Sequence, residues 1–149
     1  MHFLDLLSAG RVRSGLVVED KADLIEQLAG LLAGDGADVA VVRDALNARE
    51  RLGATSLGHG VAIPHGRSAA IDSARAAFVR LPKPVDFGAG DGQAVDLIAA
   101  LIVPAHFTDQ HLQLLAALAE LFSKPALTAA LRAAGDDHAL FAELTRAMD

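Results

Sequence analysis

At 149 residues the chain has the size of one ordinary domain, long enough to bury a substantial core, and just over half of it is hydrophobic, much of that alanine. A net charge of −6 leaves no basic footprint for nucleic acid, and the absence of cysteine excludes disulfides and thiol chemistry and fits a reducing compartment. Met1-His2-Phe3-Leu4-Asp5 lacks the basic-then-apolar pattern of a leader, and the longest apolar run, Leu97 to Val103, is too short to span a bilayer. A cytoplasmic protein without direct membrane insertion is expected.

No repeat, low-complexity tract or linker divides the sequence, so residues 1–149 are read as a single domain. Gly15 to Glu19 has the look of a short strand. Asp20 can cap a helix whose apolar positions Leu24, Ile25, Leu28, Leu31 and Leu32 keep helical spacing until Gly34 stops it. A second helix covers about Asp38 to Leu52, and Val61 to Ile63 is a short strand. Ala74 to Leu81 and Val95 to Val103 are strand candidates, separated by Pro82, Pro84 and a glycine-rich turn at Gly88 to Gly92. From Asp109 onward the pattern is helical, with breaks near Lys124-Pro125 and Gly135-Asp136. Helices before, between and after strands predict an α/β domain, a mixed β-sheet flanked by helices on both faces.

The chemistry concentrates in Gly58-His59-Gly60-Val61-Ala62-Ile63-Pro64-His65-Gly66. Proline fixes its own φ and pushes Ile63 toward an extended conformation, while Gly60 and Gly66 permit turns and allow a backbone or a phosphate to approach closely. His65 is therefore expected at a loop edge, presented rather than packed. In the helix before it, Val42, Ala45, Leu46 and Leu52 make an apolar stripe into which Arg49 falls, with Arg51 on the opposite side. A guanidinium aimed inward requires a phosphate or a carboxylate to satisfy it. His111 follows Thr108 and Asp109, either of which can cap the next helix, and so stands in a first turn on or beside the buried face formed by Leu114, Leu115, Leu118, Leu121 and Phe122. There the helix dipole favours a neutral imidazole and attracts an anion; a ring bonded to a backbone carbonyl is the structural alternative.

Arg49-Glu50-Arg51-Leu52-Gly53, Gly58, Ala62-Ile63-Pro64-His65-Gly66, Asp91-Gly92-Gln93, Val95-Asp96-Leu97, His111-Leu112 and Leu115 follow one another in an order that resembles the enzyme IIA domains of the bacterial phosphotransferase system, in the fructose/mannitol/nitrogen-regulatory family. The resemblance runs along nearly the whole chain. It implies the same α/β fold and a phosphocarrier in which His65 takes a phosphoryl group, in the family through Nε2, from the phosphohistidine of an HPr-like carrier protein. His111 would then donate a hydrogen bond to the phosphoryl oxygens, Arg49 would orient the site and offset its charge, and the backbone around Gly66 would add to the phosphate cradle. No cofactor and no metal are implied. A zinc site built from His59, His65, His106 and His111 would lack both cysteine and tight ligand spacing.

His59 departs from the family, which more often carries asparagine there, as do Ala54 and Ala94 where serine and proline are usual. His59 reads as a residue of an exposed turn, and His2, His106 and His138 read as surface residues. Ala48 to Thr55, Asp91-Gly92-Gln93 and Leu101-Ile102-Val103-Pro104 look most like nitrogen-regulatory members. That branch implies a regulator whose phosphorylation controls binding to proteins such as kinases, ion transporters or nucleotide synthetases. The alternatives are a sugar-uptake IIA that hands phosphate to a separate IIB, and a binding domain that has lost phosphotransfer. A hydrolase with His65 as base is disfavoured, because Gly66-Arg67-Ser68 is not a nucleophile elbow.

Overall fold

The computed structural model describes residues 2–148 and contains a six-stranded mixed sheet between two layers of helices. The chain opens with α1 (Phe3–Leu6), a 3-10 turn (Ala9–Arg11) and β1 (Val12–Arg13), followed by α2 (Lys21–Ala33) and α3 (Val39–Glu50). Three short strands come next, β2 (Ser56–Gly58), β3 (Val61–Ala62) and β4 (His65–Ser68). The long hairpin β5 (Arg75–Val85) and β6 (Val95–Pro104) precedes α4 (Asp109–Phe122), α5 (Pro125–Ala133) and α6 (Asp137–Met148).

β6 organises the sheet. It runs antiparallel to β5 on one side and parallel to both β3 and β4 on the other, while β1 lies parallel to β5 and β2 antiparallel to β3. The period-2 pleat sends Ile98, Ala100 and Ile102 into a core beneath α2 and α3, and Leu97, Ala99 and Leu101 into a second core beneath α1, α4, α5 and α6. All of these side chains are buried. A strand covered on both faces reads as a continuous apolar run, which is why Val95 to Val103 was legible as a strand. Among the described residues no single helix is long and apolar enough to cross a membrane.

The helix boundaries follow local chemistry. The Asp20 carboxylate accepts from Asp23 N–H at 2.8 Å, and Gly34 ends α2 with φ 52°. Asp38 caps α3 by accepting from Ala40 N–H at 2.8 Å. The expected breaks at Lys124-Pro125 and Gly135-Asp136 separate α4, α5 and α6.

Two strand expectations need correction. Gly15 to Glu19 is not a strand; pairing with β5 is confined to Val12 and Arg13. The alternation that suggested one is real, since Val17 is exposed and Val18 buried, but it belongs to an extended segment docked by side chains without a ladder. Pro82 and Pro84, expected between strands, lie within β5. They are tolerated because the register with β6 is interrupted between Arg80 and Val85, where a missing N–H leaves no ladder bond broken.

A clamp holds the β2–β3 turn. Arg132 of α5 reaches Asp96 of β6 through Nε at 3.0 Å and Nη2 at 2.9 Å, and Nη2 also donates to the His59 carbonyl at 2.7 Å. From the other side the Asp91 carboxylate accepts the His59 N–H at 2.9 Å.

Candidate functional site

The C-terminal end of α3, over one face of the sheet, and the first turn of α4, over the other, meet at the edge formed by β4. His65 opens β4 opposite Leu101 of β6, and the Pro64 carbonyl just before it accepts the Leu101 N–H at 3.0 Å. The ring is thus fixed to a strand and only 8% exposed, which corrects the expectation of a presented loop residue. Its Nδ1 lies 2.8 Å from the Ile63 carbonyl. A carbonyl only accepts, so the ring proton sits on Nδ1 and Nε2 keeps its lone pair. The ring lines a cleft of about 550 Å3 together with Ala45, Ala48, Arg49, Leu52, Gly66, Arg67 and Ala105.

His111 meets this ring edge-on, with centroids 5.1 Å apart and planes at 87°. Thr108 is the N-cap residue of α4 but makes no side-chain capping bond, and His111 occupies the third helical position, 7% exposed. Its Nε2 is a buried polar atom without any partner among the described residues. Such an orphan costs on the order of 1–3 kcal/mol when nothing occupies it. The alternative of a ring tied to a backbone carbonyl through that nitrogen is not what the structure contains. Burial, the neighbouring His65 and the Arg67 charge together push His111 down to about 4. His65 is also lowered, chiefly by burial; the Ile63 bond and the Glu50 charge act upward, and Arg49 and Arg67 act downward. Both rings are therefore neutral at pH 7.

Arg49 sits on the α3 stripe, but its guanidinium does not enter the core. It donates to the Gly53 carbonyl at 2.9 Å on the exposed side and borders the cleft. The stripe ends early because α3 stops at Glu50, leaving Leu52 83% exposed beyond it. A long stem can lie along an apolar face while its charged head leaves it, which the helical wheel does not register. The charge that α3 does bury is the next one, Glu50, whose carboxylate binds Lys21 and Thr55.

Backbone packing is what requires a glycine at position 66. A Cβ on Gly66 would stand 2.8 Å from the Ala45 carbonyl carbon and 2.9 Å from its Cβ and oxygen, so α3 and β4 touch only because the side chain is absent. Arg67 was not singled out from the sequence. It follows His65 by two residues on the same strand face and lines the same cleft, a period-2 relation that becomes visible only once His65 is known to lie in a strand. Neither Arg49 nor Arg67 pairs with a carboxylate among the described residues.

The other histidines lie apart. His59 is exposed and holds φ 55°, a left-handed conformation that asparagine enters more readily than histidine. His2, His106 and His138 also stand outside the cleft, and no group of three or more His, Asp or Glu side chains suited to a metal occurs among the described residues.

Residues 5–147 match the family model described as the phosphoenolpyruvate-dependent sugar phosphotransferase system, EIIA 2. A nitrogen regulatory protein of Bradyrhizobium diazoefficiens is 35% identical over 145 residues, which cover 97% of this chain and 95% of that protein. Another from Pseudomonas aeruginosa is 37% identical over 138 residues, covering 91% of this chain and 90% of its own. The crystal structure of the nitrogen regulatory protein IIA-Ntr from Neisseria meningitidis superposes with a TM-score of 0.86 at 38% identity, covering 94% of this chain and 97% of that one. Similarity of this extent carries the family along with the fold, and the chain belongs to the type 2 EIIA family of the phosphoenolpyruvate-dependent sugar phosphotransferase system.

Proposed function

We propose that this protein is a nitrogen-branch phosphocarrier: His65 accepts a phosphoryl group from the phosphohistidine of an HPr-like protein of the nitrogen type, and the phosphorylated and free forms bind different regulatory targets. The observation that carries the reading is the arrangement of the two rings. His65 offers its Nε2 lone pair to the cleft because Nδ1 is bonded to Ile63, and beside it His111 has a buried Nε2 with no bonding partner among the described residues.

In the transfer, the Nε2 lone pair attacks phosphorus in line. The P–N bond to the donor ring breaks and its electron pair returns to that ring, which enters the step protonated on its second nitrogen and so leaves as neutral imidazole. No proton changes hands, and the positive charge arising on His65 is carried by a ring whose Nδ1–H already faces a carbonyl. One phosphoramidate replaces another, so catalysis needs alignment and electrostatic support for the equatorial oxygens. His111, as its Nε2–H tautomer, donates to one of those oxygens, and Arg49 and Arg67 offset their charge. Gly66 contributes by letting α3 approach β4, which brings Arg49 to the rim; in this register its own N–H belongs to the ladder with β6, so the proposed cradle draws on the N–H groups of its neighbours, His65 and Arg67.

Phosphorylation adds charge of about −1.5 to −2 to the cleft rim, where Leu52 is exposed. A partner that fits the cationic free form is thereby rejected, or the reverse. Kinases, ion transporters and nucleotide synthetases are the target classes proposed for this branch. The relatives named nitrogen regulatory protein favour it over sugar uptake.

The test is intact-mass detection of phosphorylation with phosphoenolpyruvate and matched upstream proteins from the nitrogen and sugar branches, run beside His65→Ala. One added phosphoryl group from the nitrogen set, absent in the variant, is the expected outcome. Preference for the sugar set would move the protein to transport, and no label from either would leave a binding domain.

A further inference from the structure

Behind His65 runs a polar chain that the transfer step does not use. Glu50, the last residue of α3, has a side chain only 6% exposed. One of its carboxylate oxygens accepts the Thr55 hydroxyl at 2.6 Å; the other accepts the Thr55 N–H at 3.2 Å and faces Lys21 Nζ at 3.1 Å. Lys21 is held in turn by the Phe87 carbonyl at 3.1 Å and stands 4.1 Å above the Phe87 ring. The Thr55 carbonyl then accepts the Ile63 N–H at 2.9 Å, and the Ile63 carbonyl is the acceptor for His65 Nδ1 at 2.8 Å.

We infer that Glu50 is a positioning residue for the phosphoacceptor: acting through Thr55 and Ile63, it holds the carbonyl that keeps the His65 proton on Nδ1 and the Nε2 lone pair toward the cleft.

Local backbone anchoring explains why a distant carboxylate governs this carbonyl. Ile63 lies beyond the end of β3, and Pro64 has no N–H, so this segment reaches β4 with few ladder bonds. Its backbone anchors are the Thr55 carbonyl on one side and Leu101 N–H on the other. Thr55 precedes β2, and Glu50 fixes both the N–H and the hydroxyl of that residue. A buried carboxylate is costly unless several donors satisfy it, and an apolar side chain would fill the same space without that requirement. The Glu50 charge also acts on His65 directly, raising its basicity against burial and the two arginines.

The consequence for catalysis rests on the reading of His65 as acceptor, whereas the tautomer is measurable without any transfer. In the full-length protein, 15N NMR of the His65 ring should show a protonated Nδ1 and a bare Nε2 in the wild type. Glu50→Ala and Thr55→Val should shift both signals toward tautomer averages and slow single-turnover labelling by about 10- to 100-fold. Glu50→Gln, which retains an acceptor oxygen for Thr55, should fall between. Val42→Ala, a buried truncation on the same helix, supplies the comparison: a lower Tm with the tautomer unchanged. If Glu50→Ala does not fold, Thr55→Val and Glu50→Gln decide the question in its place. Folded variants with a wild-type tautomer and labelling rate would overturn the inference. Failure of His65 to label in the wild type would overturn the acceptor reading alone, because the ring signals would still report on Glu50.

Discussion

A histidine kept neutral is worth more here than a charged one, since a protonated Nε2 has no lone pair to give. For His111 the lowered value of about 4 against an ordinary 6.5 sets a sign for stability. Between those limits the unfolded chain binds a proton that the folded chain refuses, so the contribution is full above 6.5 and is lost as pH falls toward 4. We expect thermal melts of the wild type to drop across that window and those of His111→Phe to drop less. The same variant should slow single-turnover transfer by about 10²-fold while leaving His65 the labelled residue; an unchanged rate would remove His111 from the proposed machinery. Sequence order alone could nominate His65, His111 and Arg49, since motif positions are local. It could not reveal that His65 is buried, because His-Gly-Arg-Ser carries no apolar alternation to announce a strand. Arg67 was hidden for the same reason.

Among elements, the contact between α3 and β4 decides whether the cleft exists. Gly66→Ala would place a methyl group 2.8 Å from the Ala45 backbone, where no flexible side chain can yield. Overpacking of this kind costs about 1–3 kcal/mol, and the melting temperature should fall by several degrees with transfer slowed as Arg49 moves off the rim. A variant with wild-type Tm would mean that α3 shifts without cost. Helices were the readable elements: Asp20, Gly34, Asp38 and Pro125 mark ends by chemistry that acts within a few residues. Strands were less so. β1 is placed by its pairing with Phe78 and Val79, far along the chain, and β5 continues through two prolines because its partner skips that stretch. Non-local pairing leaves only weak local traces.

For the molecule as a whole, charge is distributed against the average. The chain carries −6, yet the cleft presents Arg49 and Arg67 without carboxylate partners among the described residues. A cationic mouth on an anionic body would orient the phosphorylated donor of the proposed transfer and repel other anionic proteins elsewhere. The labelling rate at subsaturating donor should therefore fall as salt rises from about 0.05 to 0.5 M, and Arg67→Ala should flatten that dependence. Equal slopes for both proteins would argue that the arginine acts only after docking. The architecture itself, helices on both faces of a mixed sheet, was legible in the order of helical and strand segments, with Val95 to Val103 as a strand candidate that the structure shows covered on both faces.

The Arg132 clamp limits how the chain can be shortened. Because one guanidinium on α5 secures both Asp96 and the turn carrying His59, deleting α5 and α6 would strip a carboxylate with 19% side-chain exposure of its counterion and free the hairpin that leads into β3 and His65. Helices α5 and α6 are thus no detachable appendage to the proposed phosphoacceptor site. Any minimal fragment that stops at Phe122 should express as an aggregation-prone, label-incompetent chain.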